Sequence, residues 1–587
     1  MPHRVIATLT RIRLHASNFT LDPAGLAYAG LWGVAALTIM AFCQTGCSSS
    51  RDQTIGEVAA ARARVAPSLA SMEAVPTSAS QAQELRALGY TGRYGGIDAS
   101  AFNTEQYDRI DEEGFLAVDQ HPLSTFSIDV DTASYSNVRR MLRDGQLPPA
   151  GAVRIEEMIN YFSYQRPKED SEHPFAVALE VAHAPWKRAH RLVRIHLQGM
   201  HIEPADVPPR NLTFLLDVSG SMQPANKLGL VKRAMTELTR QLRPQDHVAI
   251  VVYAGASGLV LPPTSGEDPQ RIVDALGRLQ AGGSTNGGDG IRLAYQTARR
   301  HFDSEGINRV ILATDGDWNV GTTNRSDLVD LIERERESGV FLTVLGVGTG
   351  NLKDATMEAL ADTGNGHYAY LDDITEARKV LIEESGGTLF TIAKDVKIQV
   401  EWNPARVLAY RLIGYENRRL ANEDFNDDDR DAGEIGAGHD VTALYEFVPS
   451  GGEATLREVD PLRYQPKRAT DTPDGSASRE LLTVKLRYKA PNADRSTLVT
   501  RHLIDDPNDV RRASDDLRFA SAVASFGMLL RGSEHRGHAS WTMTSELARG
   551  AIGNDAGGYR AEFVRLVEIA RSLSPDPGLH GEVARVN

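Results

Sequence analysis

A six-residue apolar run, Asn211-Leu-Thr-Phe-Leu-Leu216, ends abruptly in Asp217-Val-Ser219-Gly-Ser221, an acid and two hydroxyls spaced two apart. The run has the length and texture of a buried strand, so Asp217, Ser219 and Ser221 fall in the turn at its C-terminal end, where open α/β sheets hold their ligand sites. The same form returns at Val310-Ile-Leu-Ala-Thr-Asp315-Gly-Asp317, and Thr285 lies between the two in Gly282-Gly-Ser-Thr-Asn-Gly-Gly. Further strands are expected at His247–Tyr253, Leu259–Leu261 and Val340–Leu345. Helical stripes run between them: Leu228, Val231, Met235, Leu238 and Leu242, then Ile291, Ala294, Ala298 and Phe302. Strands alternating with helices imply an α/β fold, a mostly parallel sheet covered on both faces. The acids and hydroxyls then share one edge of that sheet.

Taken alone, an Asp-Val-Ser-Gly-Ser turn is equally what caps the next helix. With Thr285 and Asp315 in the same order and spacing, the set resembles the metal-ion-dependent adhesion site of von Willebrand factor A domains. That resemblance implies a Rossmann-like A domain in which Ser219, Ser221 and Thr285 touch a divalent cation. Asp217 and Asp315 would act mainly through water, orienting the inner ligands. Magnesium is the expected ion, with manganese or calcium as alternatives, because a small hard cation takes oxygen ligands and keeps some water. Hydroxyls supply oxygen without charge, so the ion keeps positive character and can capture an Asp or Glu side chain of a protein partner. Asp289 and Asp317 are nearby acids that the resemblance does not require, and they read as ordinary turn residues.

The N-terminus has the form of an export signal. Arg4, Arg11 and Arg13 precede an uncharged stretch from Pro23 to Gly46 that leads into Gln44-Thr-Gly-Cys47, which looks like a bacterial lipoprotein cleavage site with Cys47 lipidated. Gln44 stands where that pattern usually has Leu, which keeps an uncleaved transmembrane helix open as the alternative. Either way the body lies outside the cytoplasm, in the cell envelope. The chain has only two cysteines, Cys43 and Cys47, so no disulfide framework supports the remaining 540 residues. A net charge of -14 with no Lys/Arg cluster argues against nucleic acid.

At 587 residues the chain needs several domains. After the signal (1–47), an Ala/Ser/Gln-rich tether spans 48–88, an N-terminal extension 89–170, a β segment 171–209, the A domain 210–385 and a β-then-helical extension 386–587. The strings Pro122–Tyr135, Val153–Phe162 and Asn417–His439 resemble the extensions of a bacterial group of A-domain proteins. Alternating strands at 175–200 and again at 396–402, 441–447 and 481–488 suggest a β-sandwich into which the A domain is inserted. Asp129, Asp131 and Ser134 read as a helix cap. The acids from Asp424 to Asp431 lack the spacing of an EF loop, and Gly433 to Gly438 is followed by no Gly-Lys-Ser/Thr, so a solvated turn is expected rather than a calcium or nucleotide loop.

The expected function is a binding module of the cell envelope, not an enzyme: no HExxH, G-x-S-x-G or partnered nucleophile occurs. A scaffold with a structural or vestigial metal site is the alternative, and a metal-dependent hydrolase is the weakest competitor.

Overall fold

In the computed structural model, residues 104–574 are described, apart from 129–130, 168–171, 204, 318–324, 386–388, 454–478, 492 and 507–508. The signal with Cys47, the tether and Asp129 lie outside the described residues. No helix among the described residues is long and apolar enough to cross a membrane.

The strand Arg210–Asp217 is buried from Asn211 onward and sends its side chains alternately to two apolar clusters. Leu212, Phe214 and Leu216 meet the helices Leu228–Thr239 and Pro269–Arg278, while Leu215 meets Gly287–Arg300, Arg325–Arg336 and Asp354–Thr363 on the other side. Burial on both faces is why the run ends in three consecutive apolar residues, Phe214, Leu215 and Leu216. The six-stranded sheet has the order Tyr368–Leu371, Phe341–Val347, Ile307–Thr314, Arg210–Asp217, His247–Tyr253, Ser257–Ser265. It is parallel except for the last strand, an antiparallel edge. Phe302 departs from its expected stripe: the helix stops at Arg300 and the ring is 45% exposed.

Two antiparallel sheets face each other beside this domain. One has the order Leu116–Ala117, Val407–Ile413, Asp440–Pro449, Arg191–Gly199, Phe175–His183; in the other, Thr391–Trp402 pairs with Leu123–Ser127, Gly433–Gly436 and Glu480–Lys489, and Glu480–Lys489 with Thr497–Ile504. Their inner faces share one core, in which Trp402 stacks on Tyr410 at 4.9 Å and Phe126, Tyr445 and Phe447 close the gap. The chain leaves this sandwich after Arg191–Gly199, builds the parallel sheet, and returns with Thr391–Trp402, as an inserted domain must.

A helical layer packs against Leu192, Ile413 and Leu444 of the first sheet. Its longest member, Asp515–Arg531, is capped at both ends: the Ser514 hydroxyl accepts the Leu517 N–H at 3.0 Å, and Gly532 closes it in the left-handed conformation. Arg139, from Ala133–Arg143, ties the layer to the inserted domain by pairing with Glu376 at 2.7 Å and Glu562 at 3.2 Å.

The capping role expected of Asp131 and Ser134 is not what the fold uses. The N-cap residue of the helix Ala133–Arg143, Thr132, makes no side-chain cap bond, and the Ser134 N–H is taken instead by the Glu157 carboxylate at 2.8 Å. Asp131 instead accepts the Tyr368 N–H at 2.7 Å and pairs with Arg418 at 3.2 Å, across the seam between the inserted domain and the extensions. Ser134 accepts the Arg154 N–H at 2.9 Å and donates to the Ala152 carbonyl at 2.8 Å. A buried acid must find donors, and the nearest are on other elements.

Candidate metal centre

Arg210–Asp217 and Ile307–Thr314 lie side by side in parallel, with Leu216 opposite Ala313, so Asp217 and Asp315 emerge together at the C-terminal end of the sheet. Both are fully buried. The turn after Asp217 is held by its own carboxylate, which accepts the Ser219 N–H at 2.8 Å and the Thr314 hydroxyl at 3.0 Å. That arrangement turns Ser219 and Ser221 so that their hydroxyl oxygens lie 3.0 Å apart. The loop carrying Thr285 docks on the same turn through backbone bonds: Gly282 N–H to the Val218 carbonyl at 2.8 Å, and Gly220 N–H to the Gly283 carbonyl at 2.9 Å. Gly283 has φ +85, a conformation that only glycine adopts without strain. Thr285 is 2% exposed. The three loops expected to supply Asp217, Ser219, Ser221, Thr285 and Asp315 thus meet at one sheet edge.

The two additional acids are positioned differently. Asp289 is exposed on its helix, bonded to Asn286 at 2.8 Å and Arg292 at 3.2 Å, and takes no part in the turn. Asp317 follows in the Asp315 loop, its N–H donating to the Asp315 carboxylate at 3.2 Å.

Burial, and then the negative charge of Asp315, push the Asp217 carboxyl up to about 6. Two buried acids beside each other call for a counter-charge, and the donors gathered here are all oxygens. That set fits a hard divalent cation. The Ser219 hydroxyl pairs with that of Ser221 and also bonds the Asp217 carboxylate, and neither serine is hydrogen-bonded to a histidine among the described residues.

Two further residues belong to the site. Lys227, at the start of Leu228–Thr239, is buried and sets its ammonium 3.0 Å from the Asp315 carboxylate. Asn351 donates to the same carboxylate at 3.0 Å and accepts from Lys227 at 2.6 Å. Gly348, with φ +83, makes room for the lysine: a Cβ there would lie 2.2 Å from Lys227 Cε. Nothing in the local sequence marks Lys227, because exposed lysines at helix starts look the same until tertiary packing buries them.

The acidic turn of the sandwich behaves otherwise. The main-chain carbonyls of Asp424 and Asp427 accept from the Lys397 ammonium, and that of Asp428 from Lys489. Lysines from flanking strands thus fill the inside of the loop. Asp395, Asp431 and Glu434 bring carboxylate oxygens within 4.8 Å of one another, but Arg336 pairs with Asp431 at 2.6 Å and Lys489 with Asp395 at 2.8 Å. Burial, then the charges of Asp431 and Asp395, push Glu434 well above the usual carboxylate range. The turn expected over Gly433–Gly438 is instead a mostly buried strand at Gly433–Gly436, paired with Thr391–Trp402, with the bend confined to Gly438 at φ +77; a Cβ on Gly433 would lie 2.3 Å from the Ile128 carbonyl.

Family models match at three places: von Willebrand factor type A domain at residues 211–383, von Willebrand factor at 101–194, and uncharacterized protein YfbK, C-terminal, at 387–573. The uncharacterized protein YfbK of Escherichia coli is 44% identical over 478 residues, covering 80% of this chain and 82% of that protein. The chain belongs to the YfbK family of von Willebrand A-domain proteins. Inter alpha-trypsin inhibitor, heavy chain 4, of Mus musculus is 27% identical over 158 residues, covering 25% of this chain and 17% of that one. Among solved structures, a von Willebrand factor type A protein from Catenulispora acidiphila covers 69% of this chain and 91% of its own, at 16% identity and a TM-score of 0.38. A domains of this kind generally mediate protein–protein interaction and often bind a divalent metal ion, and the candidate centre of this chain lies on such a domain.

Proposed function

We propose that the chain is a cell-envelope binding module that holds a divalent cation, magnesium in the first instance, at Ser219, Ser221 and Thr285, and uses it to capture an Asp or Glu side chain of a protein partner. Asp217 and Asp315 orient the hydroxyls and water around the ion. The observation that carries the reading is the pair of serine hydroxyls 3.0 Å apart, backed by two buried carboxylates at one sheet edge. Charge balance supports it. Two carboxylates and the Lys227 ammonium leave one net negative charge, which a divalent ion turns into one net positive charge. A partner carboxylate would neutralise that remainder. Anchoring through lipidated Cys47, or through the uncleaved apolar segment, is supported by Arg4, Arg11 and Arg13 ahead of it and by the Thr-Gly-Cys47 ending.

Lys227 also favours a second reading. An ammonium already on Asp315 is what an envelope scaffold with a vestigial site would carry. Calorimetric titration of the full chain with magnesium and manganese, then with a peptide bearing a single Asp, separates the two. Metal-dependent peptide binding that fails with the matching Asn peptide, and fails in the Ser219→Ala/Ser221→Ala variant, is the expected result. Peptide binding indifferent to metal, or no metal binding, would favour the scaffold.

A further inference from the structure

Asn351 sits in the loop 348–353, between Phe341–Val347 and Asp354–Thr363. Gly348 and Gly350 both have positive φ, at 83° and 88°, and glycine's backbone freedom makes the two positions hinge points on either side of the segment that leads to Asn351. A separate stretch of chain holds it on both sides of Asn351. The Thr104 N–H donates to the Gly350 carbonyl at 2.7 Å, the Gln106 N–H donates to the Leu352 carbonyl at 3.0 Å, and the Glu105 carboxylate accepts the Gly350 N–H at 2.8 Å. Lys353 closes the contact by donating to the Thr104 carbonyl at 2.7 Å. Glu105 is itself secured from behind: Arg140 pairs with it at 3.0 Å and the Tyr107 hydroxyl donates to it at 2.8 Å, with Asn137 donating to that hydroxyl at 2.8 Å. Arg140 and Asn137 stand on Ala133–Arg143, whose Tyr135, Val138 and Leu142 are buried in the helical layer. A continuous line of polar contacts therefore runs from a rigid helix of the extension, through Glu105 and Gly350, to Asn351 and the Asp315 carboxylate.

We propose that Thr104–Tyr107 is a latch on the metal centre, with Asn351 the positioning residue through which it acts. This deepens the metal-site reading above and rests on it. Fastened, the latch holds Asn351 where it and Lys227 fix Asp315; released, the glycine-hinged loop lets that carboxylate wander and the centre loses pre-organisation. By linkage, whatever displaces the strap weakens metal binding, and metal binding fastens the strap.

The test is manganese titration of the full chain by calorimetry, with the electron paramagnetic resonance spectrum of the bound ion as a second readout. Residues that orient metal ligands usually carry about ten- to a hundredfold in affinity. Asn351→Ala is expected at about tenfold weaker binding and Glu105→Ala at about three- to fivefold, each with an altered spectrum. Glu105→Gln, which keeps an acceptor for the Gly350 N–H, should stay within about twofold of wild type. Because Glu105 acts through Asn351, the double variant Glu105→Ala/Asn351→Ala should bind no more weakly than Asn351→Ala alone. Manganese should also slow hydrogen exchange at residues 104–107 in the wild type and not in Asn351→Ala. Unchanged affinity in Glu105→Ala, or effects that add in the double variant, overturns the latch and leaves the metal site standing. Absence of binding in the wild type, or binding that survives Ser219→Ala/Ser221→Ala, overturns the metal site itself and the latch with it.

Discussion

Asp217, at the edge of the parallel sheet, and Glu446, inside the sandwich, are both buried carboxylates, and their environments move them in opposite directions. Burial and then the charge of Asp315 push Asp217 up to about 6. Burial acts on Glu446 in the same sense, but Arg411 at 2.7 Å, His190 at 2.5 Å and the Trp186 N–H at 3.0 Å outweigh it and hold the group down at about 2. The acidic turn at Asp424–Asp431 belongs with Glu446, since Lys397, Lys489 and Arg336 answer its oxygens from within the chain. Acid content is therefore a poor guide to metal sites. The sheet edge differs in having two neutral hydroxyls turned toward each other beside two buried carboxylates, with Lys227 pairing with one of them.

The strongest way to break this comparison is Ser219→Ala with Ser221→Ala. Losing two direct ligands should cost more than about a hundredfold in manganese affinity, beyond what orienting residues carry. The thermal midpoint of the metal-free chain should fall only slightly, because Asp217 loses the Ser219 hydroxyl but keeps the Ser219 N–H and the Thr314 hydroxyl. Lys397→Met probes the opposite region. With two main-chain carbonyls left without their donor, urea unfolding should show a loss of about 1–3 kcal/mol, while manganese affinity stays unchanged. If that variant instead gains calcium binding and keeps its stability, the lysine is a plug in a cation site rather than a structural group.

The pH dependence sharpens the contrast. Glu446 is lowered in the folded state, so its contribution is present above about 4.5 and is lost as the pH falls toward about 2; Glu446→Gln should flatten acid unfolding over that window. Asp217 is raised, so without metal its contribution is present below about 3.8 and is lost as the pH rises through about 6; Asp217→Asn should flatten that limb in stability measurements on the metal-free chain. The smallest effect is expected from Asp289→Asn. Its carboxylate is exposed and bonded on its own helix, so the manganese dissociation constant should stay within about twofold.

The legible part of the site was the part encoded by neighbours in sequence. Asp217, Ser219 and Ser221 follow one strand, Asp315 follows another, and parallel pairing of the two runs is enough to bring them together. The insertion of the A domain into the sandwich was legible for a related reason, because period-two segments flank a block of alternating strands and helices. Asp131 misled because its donors, Tyr368 and Arg418, lie 237 and 287 positions away, whereas capping assumes a local partner. Phe302 misled because a 3.6-residue period continues on paper past the point where the helix stops.

By itself the sequence determined the layered α/β domain and the residue types at its edge, since apolar periodicity dictates which faces are buried and strand ends dictate where turns fall. Tertiary structure alone decided which charges are answered internally. Lys227 on Asp315, Lys397 and Lys489 within the acidic turn, and Glu105 behind Asn351 are contacts between distant segments, and a charge's energy depends on what surrounds it in space rather than along the chain.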